Sequence, residues 1–431
     1  MDAPKRKPAK RRRWLIGLAV VLGLVLYGAT TDNIHIWPVR NTALYHFSNW
    51  WAAQFGPSPA PGNGALAGCV RSAAGAPIPG AGVLLSEPDG TLHRTATAAD
   101  GCYRLESLPA GRYVPLVTAI GYSAAMIEPF GLPMHIAAGE SARADATLAP
   151  ALPQAFELPT AFALGEPVTL AVDIPRPSSA TRRQIVVDSA AGANQPTFVY
   201  TPITATAPLP TLLAVYPGTA EEWESVSVPL AAAGYAVVAV GPAYSLDLEA
   251  DIAELKRLLA VLRAGAAPQV DASRLAILGG SYSSLHVQRL LRDDPGFRGV
   301  VLLGPISDLF DLRRRFEAGT FFPPYGLDQA LIALGWPNTA MQNYAPYSAV
   351  YHLRPDHPPL LLLHSRADEI VPTEQSERLA GELTRLGASV EPYFFDGMAH
   401  YLYTDKPSAE LDQLYALTLD FLARRLGGSG R

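Results

Sequence analysis

Two five-residue apolar runs, Leu212-Leu213-Ala214-Val215-Tyr216 and Ala236-Val237-Val238-Ala239-Val240, constrain this chain more than any other feature. Runs this short and this apolar suit strands covered on both faces, the condition of a parallel sheet flanked by helices. The flanking segments keep up the alternation. Ile185-Val186-Val187 and Phe198-Val199-Tyr200 read as an opening hairpin, and Leu255, Leu258, Leu259 and Leu262 place an apolar stripe on a helix over 248–264. The same reading predicts strands over 275–278, 300–303, 360–363 and 390–395, with helices over 285–291, 374–386 and 411–426. Strand and helix in turn imply a doubly wound, mostly parallel α/β sheet, whose ligands bind at the carboxyl ends of the strands.

One strand end carries the pattern of a nucleophile. Leu275-Ala276-Ile277-Leu278-Gly279-Gly280-Ser281-Tyr282-Ser283 sets a serine on a strand-to-helix turn between small residues. An elbow of this kind lifts the hydroxyl above the sheet and aims the next helix's N-terminus at a developing oxyanion. The usual G-x-S-x-G is altered at its last place, where Ser283 is small enough to pass the neighbouring strand; taken alone, the pattern fits a structural turn equally well. Two later strand ends supply partners in the order acid, then histidine. Asp368 follows 360–363, His400 follows 390–395, and of nine histidines only His400 comes after the acid; His364 precedes it. Glu369 and Asp396 are rival carboxylates. His352 and His357 flank Asp356 without a fourth ligand at metal spacing, so neither a metal nor another cofactor is expected. One oxyanion donor should be the N–H of Tyr282, and the other should come from Gly218 or Thr219 in Tyr216-Pro217-Gly218-Thr219.

Residues from about 185 to 426 resemble the dienelactone-hydrolase and prolyl-oligopeptidase-like branch of the α/β hydrolases. Val270-Asp271-Ala272-Ser273-Arg274, the stretch His364 to Pro372, Glu374-Gln375-Ser376 and the loop of His400 carry the likeness. The resemblance implies a serine hydrolase working through an acyl-enzyme, with Ser281 as nucleophile, His400 as base and Asp368 as acid. Esterases and exopeptidases both occur in that branch. No β-propeller precedes the unit, so a carboxylic ester, acetylated or carbohydrate-linked, is expected ahead of a short peptide. The alternatives are an exopeptidase and, in a different class, an inactive surface-binding or adhesion protein. An insertion at about 308–359 occupies the place of a cap, with Phe321, Phe322, Tyr325 and Trp336 either lining an acyl or sugar pocket or packing on the sheet.

Upstream, residues 65–150 change to short β-type runs at 68–70, 82–85, 102–105 and 113–117, separated by turns such as Asp89-Gly90 and Asp100-Gly101. A small all-β sandwich follows. It resembles the carboxypeptidase regulatory-like domain in Gly75 to Val83, Asp100 to Tyr103, Leu108 to Tyr113 and Gly121-Tyr122; that family serves mainly as a spacer, folding aid or adhesion surface. Cys69 and Cys102, the chain's two cysteines, both fall on its strands. They are expected to be joined outside the cytoplasm, two free buried thiols being the alternative.

The N-terminus sets the expected location. Seven of the 34 basic residues crowd into the first thirteen positions, and Trp14 to Thr31 follows without a charge. An uncleaved transmembrane helix is expected, near the lower limit of roughly 17–25 residues, with the basic end cytoplasmic and the catalytic unit outside. A cleaved signal peptide is the alternative. The rest of the chain is acidic, which argues against a nucleic-acid partner. The expected order is therefore a tail and anchor (1–31), a stalk and linker (32–64) with Tyr45, Phe47, Trp50, Trp51 and Phe55, the sandwich (65–150), a linker (151–183) and the catalytic domain (184–431).

Overall fold

The computed structural model describes residues 9–30, 37–55, 62–151, 162–187, 196–241, 247–265, 267–321, 327–400 and 406–427. Two helices open it, α1 (Ala9–Thr30) and α2 (Trp37–Phe55). From Leu18 to Tyr27 the described side chains of α1 are exposed and mostly apolar. Among the described residues, however, no helix is long and apolar enough to cross a membrane. The expected span is thus not confirmed; Thr31 and the side chains of Trp14, Leu15 and Ile16 lie outside the described residues. Within the expected stalk, Trp37–Phe55 is helical, and Trp51 packs on Phe55 with ring centroids 4.5 Å apart. The side chain of Tyr45 lies outside the described part.

The sandwich is built from β1 (Gly64–Ser72), β2 (Gly82–Ser86), β3 (Leu92–Ala96), β4 (Cys102–Leu108), β5 (Gly111–Tyr113), β6 (Leu116–Thr118), β7 (Ala125–Met126), β8 (Met134–Ile136), β9 (Ser141–Arg143) and β10 (Ala146–Leu148). Alternate residues such as Leu66, Val70, Val83, Leu85 and Val117 point inward to one core. Cys69 and Cys102 stand opposite each other on β1 and β4 and are joined by a disulfide. The single strand expected over 113–117 is broken. Val114 donates its N–H to Asn338 of the insertion at 2.8 Å, and Pro115 has no N–H for a ladder, so β5 and β6 join different partners.

The catalytic unit begins earlier than expected. Within the expected linker 151–183, β11 (Phe162–Leu164) and β12 (Val168–Val172) both pair with β13 (Ser178–Val187), because alternating apolar residues let even these short pieces lie on the sheet. β13 pairs with β14 (Thr197–Thr201) as the expected hairpin. There follow β15 (Leu209–Val215), α3 (Glu224–Ala232), β16 (Ala236–Val240), α4 (Leu248–Arg263), β17 (Val270–Gly280), α5 (Ser283–Asp293) and β18 (Gly299–Leu303). The insertion adds α6 (Leu309–Glu317), α7 (Leu327–Ala333) and α8 (Met341–Tyr344), before β19 (Leu360–Ser365), α9 (Glu374–Arg385), β20 (Val390–Phe395) and α10 (Ala409–Leu426).

The strand order β14-β16-β15-β17-β18-β19-β20 is parallel from β16 onward. Helices α3 and α10 cover one face and α4, α5 and α9 the other, which is why Leu212 to Ala214 and Val237 to Ala239 are wholly buried. The chain leaves β15 toward β16 and returns on its other side to β17. That reversal opens a crevice above the ends of β15 and β17.

The insertion meets the sandwich. Leu84, Val114 and Leu116 join Phe310, Leu331, Met341 and Tyr344 in one apolar cluster. Asn338 donates its side-chain N–H to the carbonyl of Arg112 at 2.8 Å. Gly90 has a φ of +95°, and a Cβ there would stand 2.5 Å from the carbonyl oxygen of Phe310, so glycine admits the close approach.

Candidate active site

Ser281 sits where β17 turns into α5, with a φ of +48° in the left-handed region. A β-carbon on Gly279 would stand 2.6 Å from Val287 Cγ2, and one on Gly280 would stand 2.9 Å from the Leu303 carbonyl, so the tight turn needs both glycines. Holding a serine in this region costs on the order of 1–3 kcal/mol and persists because the surroundings fix it. Ser281 donates its N–H to the Leu303 carbonyl at 3.0 Å. Ser283, at the altered last place of the elbow, is fully buried. Its hydroxyl accepts the Gly280 N–H at 3.0 Å and donates to the Val215 carbonyl at 2.6 Å, tying the elbow to the end of β15.

The three candidate residues meet. His400 Nε2 lies 2.8 Å from Ser281 Oγ, and His400 Nδ1 lies 2.7 Å from Asp368 Oδ2. A carboxylate only accepts, so Nδ1 carries the hydrogen and Nε2 is free to take the serine proton. The other oxygen, Oδ1, accepts the N–H groups of Ile370 at 2.9 Å and Val371 at 2.7 Å. Burial opposes the charge on Asp368, but hydrogen bonds from His364 and His400 and from the Val371 backbone outweigh it and hold the carboxyl well below its usual range. Gly304, with a φ of +49°, leaves room: a Cβ there would stand 3.2 Å from Asp368 Oδ2. The rival carboxylates are elsewhere. Glu369 accepts the backbone N–H of His400 at 3.1 Å, and the Asp396 side chain is 93% exposed beside Arg366.

Of the expected oxyanion donors, Tyr282 stands at the start of α5, and Gly218 lines the cavity next to it. Thr219 donates its N–H to Glu222 Oε2 at 2.9 Å, and its hydroxyl accepts the Glu222 N–H at 3.4 Å. Sequence reasoning missed Gly241: a Cβ there would stand 2.1 Å from the Gly218 carbonyl oxygen, so glycine lets this loop settle against the end of β16. It also passed over His364, whose Nε2 lies 3.2 Å from Asp368 Oδ2; the spacing His-x-x-x-Asp across one strand end was the available signal.

A cavity of about 480 Å³ opens beside Ser281, walled by Trp223, Val226, Leu303, Met398, Leu414 and Tyr415. Its walls come from α3, α10 and the sheet ends, and no described residue of 308–359 lines it. Of the two readings of the insertion's aromatics, packing holds for those described: Phe321 lies against the apolar cluster under the sandwich, and Arg313 stacks 5.0 Å over Trp336, while Phe322 and Tyr325 lie outside the described part. His352 and His357 each place a ring nitrogen 2.6 Å from a backbone carbonyl, of Ala345 and Pro358 respectively. Burial lowers the His352 pKa to about 4. Among the described residues no cluster of three or more His, Cys, Asp or Glu is placed to hold a metal ion.

Residues 251–429 match the prolyl oligopeptidase family, and residues 65–149 match the carboxypeptidase regulatory-like domain. The chain joins a carboxypeptidase regulatory-like domain to a prolyl oligopeptidase family domain. Its catalytic unit has an α/β-hydrolase-like fold. Over 135 residues it is 25% identical to the uncharacterized peptidase YuxL of Bacillus subtilis (strain 168), covering 31% of this chain and 20% of that protein. The chain thus spans about a fifth of the length of that curated relative. Among solved structures, the chain is similar to esterase 2 of Thermogutta terrifontis phosphonylated by sarin, at 16% identity and a TM-score of 0.46 over 55% of this chain and 92% of that one. A sugar hydrolase (YeeB) from Lactococcus lactis matches at 15% identity and a TM-score of 0.44 over 61% of this chain and 99% of that one.

Proposed function

We propose that this chain is a serine hydrolase that cleaves carboxylic esters with an apolar acyl group, outside the cytoplasm, anchored by α1. The cavity beside Ser281 carries the reading. Its Trp, Leu, Val and Met walls suit an aliphatic acyl chain beside Ser281 and His400. Ser281 Oγ attacks the carbonyl while His400 Nε2 takes its proton, and Asp368 orients the ring and stabilises the imidazolium. The N–H groups of Tyr282 and Gly218 receive the oxyanion, and His400 returns the proton to the departing alcohol. Water then hydrolyses the acyl-enzyme by the same steps.

A second reading, an exopeptidase, draws on the family, on the relative described as a peptidase, and on Glu222, a cavity-lining residue whose charge would attract a substrate's amino group. Glu222 is already engaged with the Thr219 N–H, which favours the ester. An amide also demands firmer proton delivery to its leaving group than an ester does. Assaying the purified chain side by side on p-nitrophenyl acetate, butyrate and octanoate, acetylated sugars and aminoacyl-p-nitroanilides tests this. Faster turnover of the p-nitrophenyl esters is expected, rising from acetate to butyrate. Faster release from the anilides would move the assignment to an exopeptidase.

Two observations support the location: the exposed apolar side chains of α1, and a Cys69–Cys102 disulfide suited to an oxidising compartment. Protease added to intact cells should digest the sandwich and catalytic domain. Protection until the cells are lysed would place the chain inside and refute the anchor's orientation.

A further inference from the structure

The acid is held by a second histidine. Asp368 Oδ2, which accepts from His400 Nδ1, also lies 3.2 Å from Nε2 of His364, a fully buried ring near the end of β19. The same Nε2 lies 3.0 Å from the Val371 carbonyl, and His364 Nδ1 lies 2.6 Å from Ser376 Oγ on α9. A carboxylate and a carbonyl can only accept, so Nε2 carries the hydrogen and shares it between them. Nδ1 faces a hydroxyl that can donate to it, so the neutral ring satisfies every partner in one tautomer. The loop between the two histidine contacts is also pinned, because Val371 donates to Asp368 Oδ1 while its carbonyl accepts from His364.

We propose that His364, held by Ser376, is a positioning residue for the catalytic acid: it fixes Oδ2 in the plane that His400 needs and moderates the basicity of the carboxylate. The proposal rests on reading Ser281, His400 and Asp368 as the catalytic unit. Without His364 this buried oxygen would keep His400 as its sole imidazole donor. A more basic carboxylate would hold the His400 imidazolium more firmly, so the base would be blocked by its own proton up to a higher pH.

Charged groups on the neighbouring elements are engaged with other partners. On α9, Glu374 pairs with Arg315, Glu377 with Arg366, and Arg378 with Asp308. On and after β20, Glu391 pairs with Arg424 and Arg425, and Asp396 with Arg366; Glu369 accepts from the His400 backbone. Asp368 places its charge against the His364 ring, 3.2 Å from Nε2.

The test measures how fast diisopropyl fluorophosphate labels Ser281 in the full chain as a function of pH, with the labelled peptide identified by mass. It needs no natural substrate. His364→Phe keeps the ring's bulk without a donor, and labelling is expected to slow about ten- to a hundredfold, part of the roughly 10²–10⁴-fold that a positioned base contributes. Its acid limb should move to higher pH. His364→Gln, whose amide N–H can still reach Oδ2, should recover most of the rate and the original limb, and Ser376→Ala should shift the limb in the same direction by less. A residue that merely packs predicts equal behaviour of the Phe and Gln variants with an unmoved acid limb, and that result would overturn the proposal. If the Phe variant does not fold, an unmoved limb in Ser376→Ala overturns it instead. Failure of the unaltered chain to label at Ser281 would refute the catalytic reading itself, a distinct outcome.

Discussion

Ser281→Ala is expected to lower kcat on p-nitrophenyl butyrate by about 10⁶-fold, and His400→Ala by nearly as much, because nucleophile and base act as one unit. What survives should be the roughly 10³–10⁴-fold over water that binding and the oxyanion donors supply. Asp368→Asn is expected to cost somewhat less, about 10⁴-fold: the amide can turn its NH₂ toward His400 Nδ1 and favour the wrong tautomer. The geometry makes the sign firm. One hydrogen-bonded line runs from Ser281 Oγ through the His400 ring to Asp368, and the acid's second oxygen is already committed to Ile370 and Val371. Combining Ser281→Ala with His400→Ala should therefore add little to either alone. Turnover that survives Ser281→Ala would remove the mechanism, and a fully additive double variant would mean that the two residues act separately.

Arg313→Ala is expected to cost about 3–5 kcal/mol of stability without altering the chemistry of the folded enzyme. Among the described residues Arg313 is the largest wholly buried side chain, 1% exposed within the insertion. Its Nε donates to Glu317 at 2.5 Å, and its Nη1 donates to the Leu331 carbonyl at 2.9 Å and the Gly335 carbonyl at 3.2 Å. Alanine would take a charged donor from the Glu317 carboxylate and from the Leu331 and Gly335 carbonyls, which also accept from the Tyr344 hydroxyl, and would leave the space of the guanidinium unfilled beside the apolar cluster that meets the sandwich. At about 2–4 °C per kcal/mol for a domain of this size, the melting temperature should fall by roughly 6–20 °C. Arg424→Ala, which breaks an exposed pair with Glu391, should cost no more than about 1 kcal/mol and serves as the control. Since no described residue of the insertion lines the cavity, kcat/KM below the melting range should stay close to that of the parent. Equal melting curves for the two variants would show that the buried pair does not hold the insertion together.

The sheet was legible in the chain because its signal is local. Runs such as Leu212 to Tyr216 and stripes such as Leu255, Leu258, Leu259 and Leu262 report which faces a strand or helix must bury, and covalent geometry sets both periods. The serine elbow was legible for the same reason: two glycines and a serine at a strand end describe a turn that few other residues can make. The order of Ser281, Asp368 and His400 followed from where the strands end.

Contacts between distant pieces were not legible. Ser283 reads as a defect in a motif until Val215, far away in the chain, is seen to accept its hydroxyl. His364 reads as a histidine on the wrong side of the acid, yet the turn after β19 folds back and sets its ring on Asp368. The insertion looks like a cap by its position, but the apolar faces of Leu84, Val114 and Leu116 claim it for the sandwich, and the cavity walls come from α3 and α10. Phe162 to Val172 reads as linker because two short strands hold too little local signal; pairing with β13 makes them part of the sheet. The sequence by itself therefore determined which surfaces had to be buried and where a nucleophile could stand. Only the tertiary structure decided which surfaces bury one another, since that choice depends on shape and hydrogen-bond complementarity between segments that local periodicity does not relate.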